Sequence, residues 1–360
     1  VFIFILETVK KKNYFFLNKD FIVLSVFYIY LIFNSIFLTQ TSDGIIRAIG
    51  FIRFPLLAYA IAYYFSLERG KYQKQILSLW FLIFIVTSLD IIFEYFVGYN
   101  IIGNKSNYAG RLASFSGEEL KIGGYYFGFI LLSICFVLKN YKKYYLFFII
   151  LFLFCSLLIG EKANFIKSIF ITSIFFILID KKSILKKLSL ISLILIFAFI
   201  FIKSNPAFNS RFLHHGFSGI KIDNYKSLVS SNQHFSHYHT AFEIFKKNPF
   251  FGVGVKNFRN VSYEKEYNTI ENINGGSTHP HQIHFEILSE IGIFGYILIF
   301  GILIYFIVSG IKFYIHYKDF LFLISSLFVL ATILPIIPSG SFFTTYTATI
   351  FWINLSFILR

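Results

Sequence analysis

The chain has 360 residues, of which 56% are apolar and only 14% charged. A soluble fold of this length has too little interior to hide so much apolar side chain, so a multi-span helical membrane protein is expected. The formal net charge of +15 does not point to nucleic acid, because the basic residues gather in short clusters between apolar runs, as at cytoplasmic membrane edges.

The chain opens at Val1 inside an apolar run, 1–9, with no charged leader before it. That run reads as the tail of a truncated first span rather than a signal peptide. Further runs of span length, or nearly so, lie at 21–38, 50–67, 76–95, 122–138, 144–160, 163–180, 188–202, 284–309, 320–337 and 342–359. The predicted fold class is an all-α polytopic integral membrane protein of about 11–12 transmembrane helices with one large loop between late spans. Three regions follow: a transmembrane bundle over 1–202, a loop with short helices over 203–283, and C-terminal spans over 284–360.

Charge alternates between the short loops. One set carries Lys10, Lys11, Lys12 and Lys19, then Arg69, Lys71 and Lys74, then Lys139, Lys142 and Lys143, then Lys181, Lys182, Lys186 and Lys187, then Lys312 and Lys318, with Arg360 at the end. The positive-inside rule places these in the cytoplasm and turns the loops 39–49, 96–121 and 203–283 outward. The 203–283 loop is too long for bare linker, and Asn232 to Lys247 is predicted as a helix within it, ended by Pro249. Cys135 and Cys155 fall in apolar runs without metal or redox spacing, as buried thiols do.

The candidate site residues collect on the outward side. Arg53 sits inside the run 50–67 near its outward end, where an arginine snorkels or faces a polar cavity. In the loop 96–121, Arg111 offers a planar fork suited to phosphate oxygens, and Glu119 either lines a site or caps the next helix. Glu161 and Lys162 occupy a very short outward turn, as the wall of a site or as a local ion pair. With Arg47, Arg53, Arg111, Arg211 and Arg259, this side supplies several cations, which suits a pyrophosphate anchored in lipid. The run Asn248-Pro249-Phe250-Phe251-Gly252-Val253-Gly254 holds a GxG without a third glycine or a preceding buried strand, so tight turns against the membrane explain it better than nucleotide binding.

The densest cluster is His279-Pro280-His281-Gln282-Ile283-His284-Phe285-Glu286-Ile287-Leu288-Ser289-Glu290, where the long loop meets a membrane-length helix. Pro280 fits the first helical turn, which would set His281 and His284 three apart and Glu286 and Glu290 four apart on one helix. A neutral His281 there can accept a proton from an attacking hydroxyl, and a protonated one can pair with a phosphate. Zinc is a third thought, but the spacing is not HExxH and no metal or other cofactor is expected. Polar capping of a membrane helix is the bland alternative. The cost of placing such groups at the head of an intramembrane helix favours a functional reading.

Asn248-Pro249 through Gly252-Val253-Gly254 and Asn257-Phe258, then His279-Pro280-His281 and Leu288-Ser289-Glu290-Ile291-Gly292 with Gly295, together resemble the O-antigen ligase and O-antigen polymerase superfamily. Asp90 with Gly98, Arg111 through Phe115, Gly117, Glu119, Leu120, Gly123, Gly160-Glu161-Lys162 and Pro338-Ser339-Gly340-Ser341-Phe342-Phe343 agree, so the resemblance covers nearly the whole chain. It implies a bacterial inner-membrane enzyme whose active site faces the periplasm and which takes a glycan from an undecaprenyl-pyrophosphate carrier. Ligases pass it to lipid A-core sugar, polymerases to a second lipid-linked glycan, and some relatives to protein. Membrane lipid and polysaccharide assembly proteins are the further partners it implies. His281 would be the base, with Arg111, Arg211 or Arg259 holding the leaving group; Arg53, Glu119, Glu161, Lys162, His279 and His284 would help bind substrate. Two positions depart from the family pattern: Gln282 stands for the usual Asn, and Lys162 for an Arg. A transporter or flippase of the same lipid-linked glycan is the rival from another class, and it predicts charge or helix breaks at mid-span.

Overall fold

The computed structural model describes residues 1–11, 18–67, 71–119, 121–179, 183–213, 223–271 and 273–359. Lys12, Arg69, Lys181, Lys182 and Arg360 of the basic clusters, Leu120 of the motif, and His214 and His215 of the long loop lie outside the described residues.

The described secondary structure is helical throughout. In chain order the α-helices are α1 (Phe2–Lys10), α2 (Lys19–Phe33), α3 (Ser42–Gly50), α4 (Arg53–Ser66), α5 (Lys71–Val97), α6 (Ile122–Asn140), α7 (Tyr145–Leu158), α8 (Lys162–Ile179), α9 (Ile184–Ser204), α10 (Pro206–Asn209), α11 (Tyr225–Ser231), α12 (Gln233–Lys247), α13 (Phe258–Val261), α14 (Ile283–Tyr317), α15 (Phe320–Thr332) and α16 (Thr345–Leu355). Among the described residues, seven helical stretches are long and apolar enough to cross a membrane: Lys19–Thr39, Ser42–Ser66, Tyr72–Val97, Ile122–Asn140, Lys162–Ile179, Ile184–Ser204 and Ile283–Tyr317. This is a multi-pass membrane protein.

Several predicted spans differ from the helices observed. The apolar runs 320–337 and 342–359 hold only the 13-residue α15 and the 11-residue α16. Pro335 and Pro338 stop α15 early, since neither can donate a helical N–H. The run 144–160 yields α7 of 14 residues. Gly160, at φ 73, ends that passage in a left-handed turn. The outward loop expected over 39–49 is instead largely helix α3, which buries the small residues Gly44 and Ala48 four apart and exposes Ile46 and Ile49. Small residues on one stripe allow close approach, which outweighs the short polar start Thr41-Ser42-Asp43. A break at Phe51-Ile52 then separates α3 from α4.

The chain forms two compact units. The first contains Val1–Arg69, Ile220–Lys318 and Thr332–Arg360. Its core includes Phe51, whose ring meets Phe27, Phe54, Phe342, Phe343 and Trp352 with centroids between 5.6 and 6.0 Å. Five aromatic neighbours around one ring explain why the break at Phe51 is tolerated: the ring packs where the helix does not continue. The second unit contains Gly70–Gly219 and Asp319–Ala331. There α6 is the most enclosed helix, and Phe84 packs on Tyr126 at 4.3 Å and Phe152 at 4.8 Å. Cys135 and Cys155 are both free and buried in this unit.

Candidate functional site

In the first unit the site begins with a broken helix. Helix α12 starts where the Asn232 side chain accepts from the His234 and Phe235 N–H groups, and it ends at Lys247, before Pro249. The bounds match the sequence expectation because a side-chain cap and a proline mark its two ends. The chain then enters a gap in α14. Gly292 has φ 67 and ψ −172, a conformation open only to glycine. Val253 N–H donates to Ser289 O at 2.9 Å, Gly254 N–H to Glu290 O at 2.8 Å and Ile293 N–H to Pro249 O at 2.8 Å. Tyr30 Oη–H donates to Ile291 O at 2.7 Å and Asn34 Nδ2–H to Phe251 O at 2.8 Å. Backbone groups freed by the break are therefore satisfied within protein, as an apolar membrane interior demands. Gly252 and Gly292 are reciprocal: a Cβ on Gly252 would overlap the Glu290 backbone, and one on Gly292 the Phe250 backbone. The GxG forms the tight turns its sequence suggested, and they pack against the backbone of α14.

Beneath this loop lies a buried polar network that sequence reasoning missed. Glu286, Glu290 and Lys256 are each 2% exposed or less. Glu286 accepts from Phe342 N–H at 2.8 Å and from the Ser341 hydroxyl. Lys256 Nζ donates to Ser341 Oγ at 2.6 Å and lies 3.9 Å from Glu286 Oε1, while its backbone N–H donates to Glu290 Oε2 at 2.7 Å. The available signal was a lone lysine inside an apolar glycine-containing run, Gly252 to Phe258.

The histidine turn sits at the head of α14, and here the expected helix register is corrected. Helix α14 begins at Ile283, not at Pro280. Gln282 is its N-cap, accepting from His284 N–H at 2.7 Å and Phe285 N–H at 3.3 Å. His281 therefore precedes the helix and does not share its face with His284. Its backbone is left-handed at φ 60, and Ser339 N–H donates to its carbonyl at 2.7 Å. His281 Nε2 lies 3.3 Å from Ser277 Oγ. The ring centroids of His279, His237 and His234 lie 4.0, 5.4 and 5.6 Å from that of His281. Burial, helped by neighbouring His234 and His237, lowers His281 to about 4. Burial first, then His281, Lys256, His237 and Arg259, lowers His279 to about 3. Both imidazoles are thus neutral at pH 7, and a neutral imidazole carries the lone pair a base needs. His279 Nε2 is buried and has no hydrogen-bond partner among the described residues.

Two neighbours complete this cluster. His237, buried on α12, gives Nδ1–H to Gly275 O at 3.1 Å, which leaves the lone pair of its neutral form on Nε2. It too was missed, although His234 and His237 are three apart on a predicted helix and so share a face. Arg259 lies on α13, and its Nε is buried without a hydrogen-bond partner among the described residues. His284 is committed elsewhere: Nε2–H donates to Ile333 O at 2.8 Å, and Nδ1 accepts from Tyr296 Oη–H at 2.9 Å. Arg53 donates to Thr345 Oγ1 at 2.9 Å and lies over the Phe54 ring.

The second unit holds a separate cationic group. Arg111 Nη2 meets Glu161 Oε1 at 2.6 Å, and Asn164 donates to the other carboxylate oxygen at 2.5 Å. Arg211 Nε–H donates to Gly160 O at 2.8 Å. Burial and then Arg111 lower the Arg211 guanidinium from its usual value, with Glu161 opposing. Lys162 follows Glu161 as the first residue of α8. The turn is close-packed: a Cβ on Gly160 would overlap Gly110 O, and one on Gly123 would overlap the Glu161 carboxylate. The loop bearing Arg111 is latched by two buried carboxylates of α5. Glu94 accepts from Ala113 N–H at 2.8 Å and Ser114 N–H at 2.6 Å, and Asp90 from Ile101 N–H at 2.8 Å and Ser114 Oγ–H at 2.7 Å. Glu119 is exposed and pairs with Lys121. The sequence-predicted residues thus divide by unit: Arg53, Arg259, His279, His281 and His284 in the first, and Arg111, Glu119, Glu161, Lys162 and Arg211 in the second. Among the described residues, no three His, Cys, Asp or Glu side chains converge as metal ligands would.

Residues 127–300 match the family model described as O-Antigen ligase. No curated protein matches the chain. The matched segment holds Glu161, Lys162, Arg211, Arg259, His279, His281 and His284, and runs through the break in α14; Arg53, Arg111 and Glu119 precede it. Over this segment the chain is similar to that family, in keeping with its polytopic helical architecture.

Proposed function

We propose, on the premise of that family match, that the chain is an inverting glycosyltransferase of the O-antigen ligase or polymerase type. It moves a glycan from undecaprenyl pyrophosphate to an acceptor hydroxyl at the periplasmic face of the bacterial inner membrane. The acceptor is a lipid A-core sugar for a ligase and a second lipid-linked glycan for a polymerase. The observation that carries this reading is the neutral His281 imidazole, which stands at the head of a membrane helix among three other imidazoles and Arg259.

In this reading the His281 lone pair takes the acceptor hydroxyl proton while the hydroxyl oxygen bonds to C1 of the reducing-end sugar. The C1–O bond to the carrier breaks on the opposite face, and its electron pair leaves on the pyrophosphate. Arg111, Arg211 or Arg259 is assigned to hold the departing negative charge. The leaving group is already activated, so alignment and charge stabilisation supply most of the rate. Glu161 serves as the ion-pair partner that orients Arg111. Lys162, next to it, keeps a cation where a guanidinium fork is usual, and so acts as a point charge.

Incubation of the purified protein with a defined undecaprenyl-pyrophosphate glycan, with and without lipid A-core acceptor, tests the reading by product mass. A new glycosidic bond is expected. Extension of the carrier-linked glycan without lipid A-core identifies a polymerase, and transfer only to lipid A-core a ligase. The break in α14 is a feature that alternating-access carriers also use. Here the loop 249–254 fills it through backbone hydrogen bonds. Movement of the glycan across a vesicle membrane with no new bond would replace the enzyme reading with a transporter.

A further inference from the structure

The segment 333–342 forms a strap across the head of α14. His284 Nε2–H donates to Ile333 O at 2.8 Å, Gln282 Nε2–H to Leu334 O at 3.3 Å and Tyr238 Oη–H to Ile336 O at 3.2 Å. Past Pro338, the direction of donation reverses. Ser339 N–H donates to His281 O at 2.7 Å, and Phe342 N–H donates to Glu286 at 2.8 Å. The Ser341 hydroxyl also donates to Glu286 while accepting from Lys256. The strap is therefore fastened at its far end by one fully buried carboxylate.

His281 needs such a fastening. A non-glycine residue at φ 60 is strained and persists only where surrounding contacts hold it. Of the contacts to its backbone, the Ser339 N–H comes from a segment anchored two and three residues later on Glu286. Glu286 is itself rigid, sitting in the first turn of α14 below the Gln282 cap. A carboxylate at 0% exposure is costly without charge and hydrogen-bond partners. The Lys256 ammonium and the 341–342 donors meet that need.

We propose that Glu286 is a positioning residue for His281, acting through the 339–342 end of the strap and touching no substrate itself. The inference rests on the reading of His281 as the base. In the Glu286→Gln variant, one charged acceptor is lost and Lys256 loses the carboxylate 3.9 Å from its ammonium, with Glu290 left as the neighbouring charge. The Glu286→Gln/Glu290→Gln/Lys256→Met triple variant removes all three charges of the network and avoids an unpaired buried ion, so it folds where the single variant fails.

The test uses the full-length protein in detergent, with two readouts. The first is the rate at which diethyl pyrocarbonate modifies His281, followed by peptide mass and referred to the exposed His234. It is expected to change several-fold in whichever variant folds. The second is glycan transfer. kcat is expected to fall about a hundredfold, the scale of a misplacement near 1 Å, with both KM values held. A wild-type modification rate in a folded variant overturns the inference whatever the activity. A changed rate with wild-type kcat keeps the strap but overturns His281 as the base, so the two failures are distinguishable.

Discussion

An imidazole lowered to about 4 is neutral at pH 7 but a weak base, and His281 is such a group before substrate arrives. In the proposed reaction a pyrophosphate bound beside it would supply the opposite charge that favours imidazolium, and so would move its basicity toward the range where proton transfer is efficient. Two outcomes follow at this scale. The acid limb of kcat/KM, which reports the free protein, should stay flat to near pH 5, where an ordinary imidazole of about 6.5 is already mostly protonated; the acid limb of kcat should lie higher. The His281→Ala variant, at normal expression, should lose about 10²- to 10⁴-fold in kcat, the range of general-base contributions. The same depressed values bear on stability. His279 and His281 are buried in their neutral forms, whereas the unfolded chain takes up protons below about 6.5. Their contribution is present above that pH and declines as pH falls toward about 4 for His281 and about 3 for His279, which thermal melts across this window would register. In the second unit, Arg111→Lys keeps charge but loses the fork that meets Glu161 at 2.6 Å. Donor KM should rise about tenfold, equivalent to ~1.4 kcal/mol.

Among the elements, α14 carries the strongest constraint. Its 35 residues are interrupted at Gly292, and the loop 249–254 lies in the gap. A Gly292→Ala variant meets both a glycine-only conformation and the Phe250 backbone, so a loss of at least ~1–3 kcal/mol is expected. Gly301, with nothing within 4 Å of an added Cβ, is the control on the same helix. Its alanine variant should melt at or slightly above wild type in detergent. The elements were legible in the sequence to different degrees. Helix α12 was readable because Asn232 and Pro249 are local punctuation that acts without tertiary help. The head of α14 was misread by three residues, because proline favours a first turn while Gln282, whose amide caps the helix, carries no strong sequence signature. Helix α3 was missed because the polar start Thr41-Ser42-Asp43 and Gly44 look like loop until the Val255 backbone is seen to come close to that glycine.

For the whole molecule, the alternation of lysine clusters predicts an orientation that can be tested directly. The thiols of Cys135 and Cys155 are buried, so background labelling should be low. In spheroplasts, an impermeant maleimide should label a Lys105→Cys variant, whose loop is expected outward, and should reach Lys142→Cys only after permeabilisation; both positions are exposed. The reverse pattern would invert the topology and, with it, the periplasmic placement of the histidine turn.

By itself the sequence determined the membrane class, the alternation of basic loops and the locations of the polar clusters. These are properties of composition and of short-range spacing, set by transfer of side chains between water and lipid and by local capping. The tertiary structure alone decided which polar groups meet. Arg111 finds Glu161 across 50 residues, Lys256 finds Ser341 across 85, and Ser339 fastens the backbone of His281 from the other side of α14. It also separated histidines that are neighbours in the chain, leaving His281 held as a neutral group in a left-handed turn while His284 has both nitrogens engaged. Partnering of this kind arises because a buried polar group must find a complement within reach, and reach is a property of the folded chain.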